Sequence, residues 1–272
     1  MSSPSLQAGE NFRLSERALG QGFRLSVHAE LGSTNDAALA AARAGDPGNL
    51  WIVAKSQTQG RGRQGRQWSS PAGNLYTSLL LFDPAPSARA PELGFVVGVA
   101  LAHALRRLAA NDSRLRIKWP NDILLDGAKL AGILLESVRL GDGRLACVIG
   151  IGVNCLWSPR DLPYRTAALS DIVTMPVTPD DVLFSLSAEL IEWLDVWAAG
   201  AGFAQIRAAW LSLAAGLGGP VKVAMPNRQL EGTFKTIDDG GRLLVDTAAG
   251  TVAVEAGDVF FVERPTGARV GV

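Results

Sequence analysis

Cysteine and histidine are scarce in this 272-residue chain: Cys147, Cys155, His28 and His103 are all it has. Two of each, in no zinc-type spacing, exclude a Cys/His metal site and a disulfide scaffold, so both cysteines are expected to be reduced and buried. Net charge is absent too, with 26 Lys and Arg against 26 Asp and Glu. A neutral chain is not one whose whole surface serves nucleic acid or anionic membrane, and any basic region must be local. No apolar run reaches the length of a membrane span without a charge or a breaker. "LGFVVGVALAHALRRLAA" comes closest, and His103, Arg106 and Arg107 mark it as a buried amphipathic helix. The start, "MSSPSLQAGENFRLSERAL", has no apolar signal region. These absences point to a soluble cytoplasmic protein without membrane contact.

What is present is globular: 47% hydrophobic and 19% charged residues, enough for one large domain with or without a small appendage. Residues 1–21 read as a loosely ordered leader. "FRLSVHAEL" alternates as a strand does, and Ser33-Thr34-Asn35-Asp36 supplies caps for an alanine-rich helix closed by Gly45. Further strands are expected at 50–56 and 74–82, and a long helix at about 91–110. "LRIKWP", "DILL", "KLAGILLESVRL" and "RLACVIGIGVNC" follow as antiparallel strands, with Asp-Gly turns at 126–128 and 141–144. Thr178 and Pro179 open a helix as cap and first residue, and "FAQIRAAWLSLAAGL" forms another. After "GGP" the pattern is short strands alone, the signature of a small β-barrel. The expected architecture is α+β: a mixed-sheet domain at 22–217 and a C-terminal barrel at 218–272.

The stretch "QTQGRGRQGRQWSS" (57–70) carries Gly60, Gly62 and Gly65 in the spacing of a dinucleotide fingerprint. That fingerprint needs a helix after its glycines, and here Pro71 and Gly73 follow. A phosphate loop fails as well, because Arg66-Gln67 stands where Lys-Ser/Thr belongs. What remains is an anion-binding flap, in which the glycines permit positive φ and close approach and Arg61, Arg63 and Arg66 offer guanidinium forks. The plainer alternative is a solvated basic loop with turn glycines.

"KWPND" (118–122) ends a strand at Lys118, breaks it with Pro120 and presents Asn121 and Asp122 at the break. The hairpin returns Lys129 and Gly132 beside them. Taken singly, Lys118 also reads as a snorkelling edge lysine and Asp122 as a turn carboxylate. "GIGVN" (150–154) puts Gly150, Gly152 and Asn154 on one strand, where glycine marks either a bulge or a close approach.

In this order, "GRGRQGRQW", "KWPND", "KLAGILLE" and "GIGVN", together with "STN" and Gln57, resemble the signatures of biotin–protein ligases over roughly residues 25–262. The resemblance implies a catalytic domain of the biotin/lipoate ligase type with an SH3-like C-terminal domain. It implies an enzyme that uses biotin, ATP and Mg²⁺ to form biotinyl-5′-AMP and pyrophosphate. Biotin would then pass to one lysine of a biotin carboxyl carrier domain of a biotin-dependent carboxylase, with the enzyme acting as monomer or homodimer.

By position, it implies that Ser33, Thr34, Asn35 and Gln57 meet biotin and that Gly60, Arg61, Gly62 and Arg63 wrap it, with Gly132 and Gly150 beneath. Lys129 would bridge the biotin carboxylate and the α-phosphate. Arg63, Arg66, Trp68, Lys118, Asn121, Asp122, Gly152 and Asn154 would lie at the nucleotide end. The carrier amine must be neutral to attack, and on chemical grounds Asp122 is the carboxylate expected to accept its proton. No metal held by protein ligands is expected. Gln64 departs from the pattern, standing where many members carry a further base. About 20 residues precede the first strand, too few for a helix-turn-helix, so DNA binding is not expected. A lipoate- or octanoate-transferring relative and a non-enzymatic ligand-binding regulator are the competing readings.

Overall fold

The structure, a computed structural model, describes residues 12–226 and 228–262. A βαβ unit comes first: β1 (Arg24–Leu31), α2 (Thr34–Arg43) and β2 (Leu50–Gln57), preceded by α1 (Glu16–Gly20). The crossover helix makes β1 and β2 parallel. Then come β3 (Leu75–Phe82), α3 (Leu93–Leu108), β4 (Leu115–Lys118), β5 (Asp122–Leu125), β6 (Ala128–Arg139) and β7 (Leu145–Val153). All their pairings are antiparallel, and the seven strands lie in the order β1-β2-β3-β7-β6-β5-β4. The two expected Asp-Gly turns close hairpins. Asp126 (φ 47) and Gly127 (φ 77) both take left-handed backbone between β5 and β6, as a primed turn requires.

Alternation along the strands sorts the core onto two faces. Leu50 and Ile52 of β2, with Ala146 and Val148 of β7, pack under Ala38 and Ala42 of α2. Trp51, Val53, Cys147 and Ile149 point the other way, into the main core with α3, α4 (Pro179–Trp197) and α5 (Phe203–Leu213). Both faces being covered, β2 and β3 read as nearly unbroken apolar runs. Ser87–Leu108 is long and apolar enough to cross a membrane, and in this fold α3 is a core helix with Val96, Val97, Leu101 and Leu105 buried. Thr178 caps α4 as expected, its hydroxyl accepting from Asp181 N–H at 3.2 Å while Asp181 accepts from Thr178 N–H at 2.9 Å. No disulfide joins the buried Cys147 and Cys155, and burial pushes the Cys147 thiol up to about 11.

One expectation is corrected. The proposed leader is folded from residue 12: Phe12, Leu14 and Ala18 are in the main core, and Ser15 both caps α1 and donates its N–H to Ser187 on α4 at 2.9 Å. The spacing of those apolar residues was too short to register as an amphipathic pattern. The rest of that segment, residues 1–11, lies outside the described residues, as do residues 263–272 at the other end. The C-terminal strands form the expected SH3-like domain as one antiparallel sheet, with no barrel closure among the described residues. The strands β8 (Pro220–Met225), β9 (Arg228–Ile237), β10 (Leu243–Thr247), β11 (Gly250–Val254) and β12 (Asp258–Phe261) lie in the order β11-β10-β9-β8-β12.

This sheet shares the main core. Trp210 of α5 sits edge-on to Phe95 at 5.7 Å and to Phe234 of β9 at 6.5 Å. Trp119 donates its indole N–H to the Gly241 carbonyl at 3.1 Å. These contacts hold β12 against the end of the larger sheet, where the site lies.

Candidate active site

The face of β7 that carries Ala146 and Val148 under α2 continues as Gly150 and Gly152, and there a cavity of about 620 Å³ opens. The N-terminus of α2 forms one end, with Ser33, Thr34 and Asn35, and Gln57 of β2 beside them. The 57–70 loop arches over it with Arg61, Gly62, Arg63, Arg66 and Trp68. Lys118, Asn121, Asp122, Lys129 and Gly132 line the opposite side. Of the residues to which the resemblance gave a role, Gly60 and Asn154 alone are not in this wall.

The α2 end is a continuous polar network. Gln57 Oε1 accepts from both Thr34 N–H (2.8 Å) and the Thr34 hydroxyl (3.1 Å), and Gln57 Nε2 donates to Ser70 Oγ at 3.0 Å. Ser78, a buried hydroxyl on β3, lies 2.8 Å from Thr34 Oγ1 and donates to Asn35 Oδ1 at 2.6 Å. Such a network fixes each member's donor direction, which suits recognition of a neutral, hydrogen-bonding ligand.

The cations have different environments. Arg61 is already neutralised: Asp36 grips it at two 2.7 Å bonds and Glu136 at 3.1 Å, and the bond to Asp36 chiefly raises its pKa. Arg63 meets neutral oxygens, Asn121 Oδ1 at 3.1 Å and the Gly257 carbonyl at 3.5 Å, and burial lowers its pKa. A half-buried guanidinium with neutral partners is the one poised for an incoming anion. Arg66 is paired with Asp258 of β12. Lys129 pairs with Asp122 Oδ1 at 2.8 Å and lies 5.3 Å over the Trp68 ring. Its backbone is clamped on both sides, N–H to Arg165 O at 2.8 Å and carbonyl from Ala167 N–H at 3.0 Å. Lys118, at the end of β4, faces the Phe260 ring at 5.7 Å, and burial lowers its pKa. Arg63, Arg66, Lys118 and Lys129, four cations beside the neutralised Arg61, can offset the repulsion between two anionic reactants.

The Biotin/lipoate A/B protein ligase family model matches residues 32–154, and the Biotin protein ligase C terminal domain matches residues 216–262. The chain is 40% identical to the Biotin--[acetyl-CoA-carboxylase] ligase of Paracoccus denitrificans over 84% of its length and 97% of that protein's. It belongs to the biotin protein ligase family. A second ligase of the same name, from Mycobacterium tuberculosis, is 33% identical over 88% of this chain and 90% of its own. The Aquifex aeolicus biotin protein ligase, solved in complex with biotin and ATP, superposes with a TM-score of 0.75 at 26% identity, covering 89% of this chain and 99% of that one.

Within this ligase the flap glycines, read as permitting positive φ and close approach, divide between the two. Gly65 has positive φ (φ 71), Gly62 is extended (φ −107), and the non-glycine Gln64 takes φ 58. Gly60 is needed for closeness, since a Cβ there would fall 2.5 Å from Ser70 Oγ and the Trp68 carbonyl. On the sheet, the space above Gly152 holds the Trp68 indole, and that above Gly150 holds the Asn35 amide. These glycines thus seat the ligase's own side chains in its floor. Asn154 is buried, donates Nδ2 to the Ala167 carbonyl at 3.0 Å, and lines a second cavity of about 190 Å³ behind Trp68 with Tyr164 and Leu162.

Several wall residues escaped the sequence reading. Asp258, Val259, Phe260 and Phe261 come from β12, and nothing in a β-rich tail signals a contact nearly 200 residues away. Tyr164, one of two tyrosines, sits in an irregular polar segment without periodicity and places its ring 5.9 Å from Lys129. Glu136, outside the wall but bonded to Arg61 and Asn35, is the last letter of "KLAGILLE", and an acidic residue on a strand has no signature until its partners are known.

Proposed function

We propose that the chain activates biotin with ATP as biotinyl-5′-AMP and transfers the biotinyl group to one lysine of a carrier domain of a biotin-dependent carboxylase, in the cytoplasm. The observation that carries this reading is the pair of unequal ends in one cavity: a fixed polar network at the α2 terminus, and Arg63, Lys118 and Lys129 on the other side. The ureido ring sits in the network and the valeryl chain runs along the sheet toward Lys129. The adenylate's nucleotide lies against Trp68, with Arg63, Arg66, Lys118 and Asn121 around its phosphates. A biotin carboxylate oxygen forms a bond to the α-phosphorus, and pyrophosphate leaves with the electrons of the broken P–O bond. Lys129 and Arg63 lower the repulsion between carboxylate and phosphate as they approach.

In the second half-reaction the carrier lysine's neutral amine attacks the acyl carbon and AMP leaves. Asp122 accepts the amine's proton; its ion pair with Lys129 at 2.8 Å orients its carboxylate beside the acyl group. Mg²⁺ fits as a companion of ATP: no group of three or more His, Cys, Asp or Glu that could hold a metal occurs among the described residues, and this ion is commonly held by substrate phosphates with one or two carboxylates. Asp122, Asp126 and Asp258 are the carboxylates that line the cavity and could share in holding such an ion.

The test is incorporation of biotin into a purified carrier domain with ATP and Mg²⁺, followed by mass. A biotin-sized shift on one lysine, lost in Lys129→Ala, is expected. A lipoyl-sized shift, with none from biotin, would assign the relative's chemistry; no shift from either substrate would sink the reading.

A further inference from the structure

Glu136 lies outside the cavity wall, and none of the roles above involves it. Its carboxylate nevertheless joins the flap to the floor. Glu136 Oε2 accepts from Asn35 Nδ2 at 2.6 Å and from Arg61 at 3.1 Å, and Oε1 accepts from Arg61 at 3.3 Å. Asn35 is almost wholly buried, and its other amide atom, Oδ1, accepts from Ser78. An ionised carboxylate can only accept, so Glu136 obliges Asn35 to aim Nδ2 outward and Oδ1 inward. That choice sets the direction of the chain Ser78, Thr34 and Gln57 at the biotin end.

The same carboxylate shares Arg61 with Asp36. Asp36 has a side chain 54% exposed, against 32% for Glu136. The better-shielded partner is the one whose attraction is less weakened by water. Arg61 is the first arginine of the flap, and its backbone is fixed by the pairing with Gln67 across the loop. One carboxylate therefore determines both the donor pattern of the ring pocket and the seat of the flap that covers it.

We infer that Glu136 is a positioning residue for biotin: it orients the Asn35 amide and holds Arg61, so that the ring pocket is pre-organised and the flap retains the adenylate. This rests on the proposed assignment of the α2 end to biotin. Its effect falls on biotin and biotinyl-AMP, and spares the chemistry at Lys129 and the nucleotide.

Glu136→Ala and Glu136→Gln are compared with wild type in adenylate formation, in release of preformed biotinyl-AMP, and in thermal unfolding. The alanine variant is expected to raise the KM for biotin roughly 10- to 100-fold. It should speed adenylate release while leaving kcat and the KM for ATP close to wild type. Glutamine keeps an acceptor for Asn35 and loses the charge facing Arg61, so it rescues most of the KM while release stays fast. Wild-type KM and release in both variants overturn the inference, as does a fall in kcat with the KM for biotin unchanged. If the alanine variant does not fold, glutamine decides alone: faster adenylate release supports the role and wild-type release overturns it. Failure of the wild-type chain to form any biotinyl-AMP is a different result, and removes the functional reading instead.

Discussion

A methyl group placed at Gly152 tests whether the cavity floor is as closely fitted as described. The new Cβ would come 2.7 Å from Trp68 Nε1 and Cε2 and 2.9 Å from Cζ2. The backbone of Trp68 cannot simply retreat, because its N–H donates to the Gly60 carbonyl at 2.9 Å and its carbonyl accepts from Ser70 at 2.9 Å. The indole must instead rotate into one of the two cavities it separates. Overpacking of this kind costs about 1–3 kcal/mol. Trp68 is only half-buried, so most of that cost should appear on ligand binding, as a KM for ATP raised roughly 5- to 150-fold. The unfolding midpoint should fall by no more than about 2–4 °C. Steady-state adenylate formation with ATP varied, alongside thermal unfolding, measures both. In Trp68→Leu the clash disappears, so adding Gly152→Ala to that variant should cost little more, a coupling of about 0.5–3 kcal/mol. Wild-type KM in Gly152→Ala, or strictly additive effects in the double variant, would show that Trp68 does not rest there.

Gly150→Ala meets the Asn35 amide inside the buried network, and should therefore lower the unfolding temperature and weaken biotin, with both readable in one titration by thermal shift. Lys129→Ala should slow adenylate formation about 10²- to 10³-fold in a single-turnover assay, and a loss confined to the KM would refute its role beside the reacting carboxylate. Asp122→Asn is expected to slow transfer to the carrier more than adenylate formation, and equal effects on both steps would remove it as the proton acceptor. The fold lowers the pKa of Lys118, because burial outweighs Asp122 and Asp258, and Lys129 and Arg66 act the same way as burial. Its contribution to stability is thus gained as pH rises through the interval between its lowered pKa and the ordinary 10.5. Its hold on phosphate is lost over that interval, so the KM for ATP should climb at a lower pH than for an ordinary lysine, and Lys118→Arg should abolish the early rise. Asp258→Asn frees Arg66 and should improve ATP binding by up to about fivefold, as measured by competition with a fluorescent nucleotide.

Much of the catalytic half was legible because its signals are local. The caps at Ser33 and Thr178, the Asp-Gly turns and the alternation of β2 and β7 each depend on neighbours within a few residues. The site followed from them: once β5 and β6 form a hairpin, Asp122 must lie opposite Gly132, and Lys129 is carried to the same place. What was not legible depends on long-range partners. Arg61 and Arg66 are both flap arginines by sequence, yet one is neutralised by Asp36 and Glu136 and the other by Asp258. Only Arg63 remains on neutral oxygens. Glycine likewise signals close approach without naming what approaches, and here it was Trp68 and Asn35. The folded segment from Phe12 to Gly20 was missed because its few apolar residues anchor a single helical turn or so to α4.

The wall supplied by β12 has a consequence for how the molecule comes into being. Residues 33 and 258 face the same cavity, so a chain emerging N-terminus first can shape its βαβ unit, flap and hairpins well before the last side of the pocket exists. Arg66 gains Asp258, and Lys118 gains the rings of Phe260 and Phe261, only after a much later stretch of the chain has been made. The β12 side of the compartment that shelters a hydrolysable mixed anhydride is thus laid down after its flap, and a chain without it has an open side through which water would reach anything it activated.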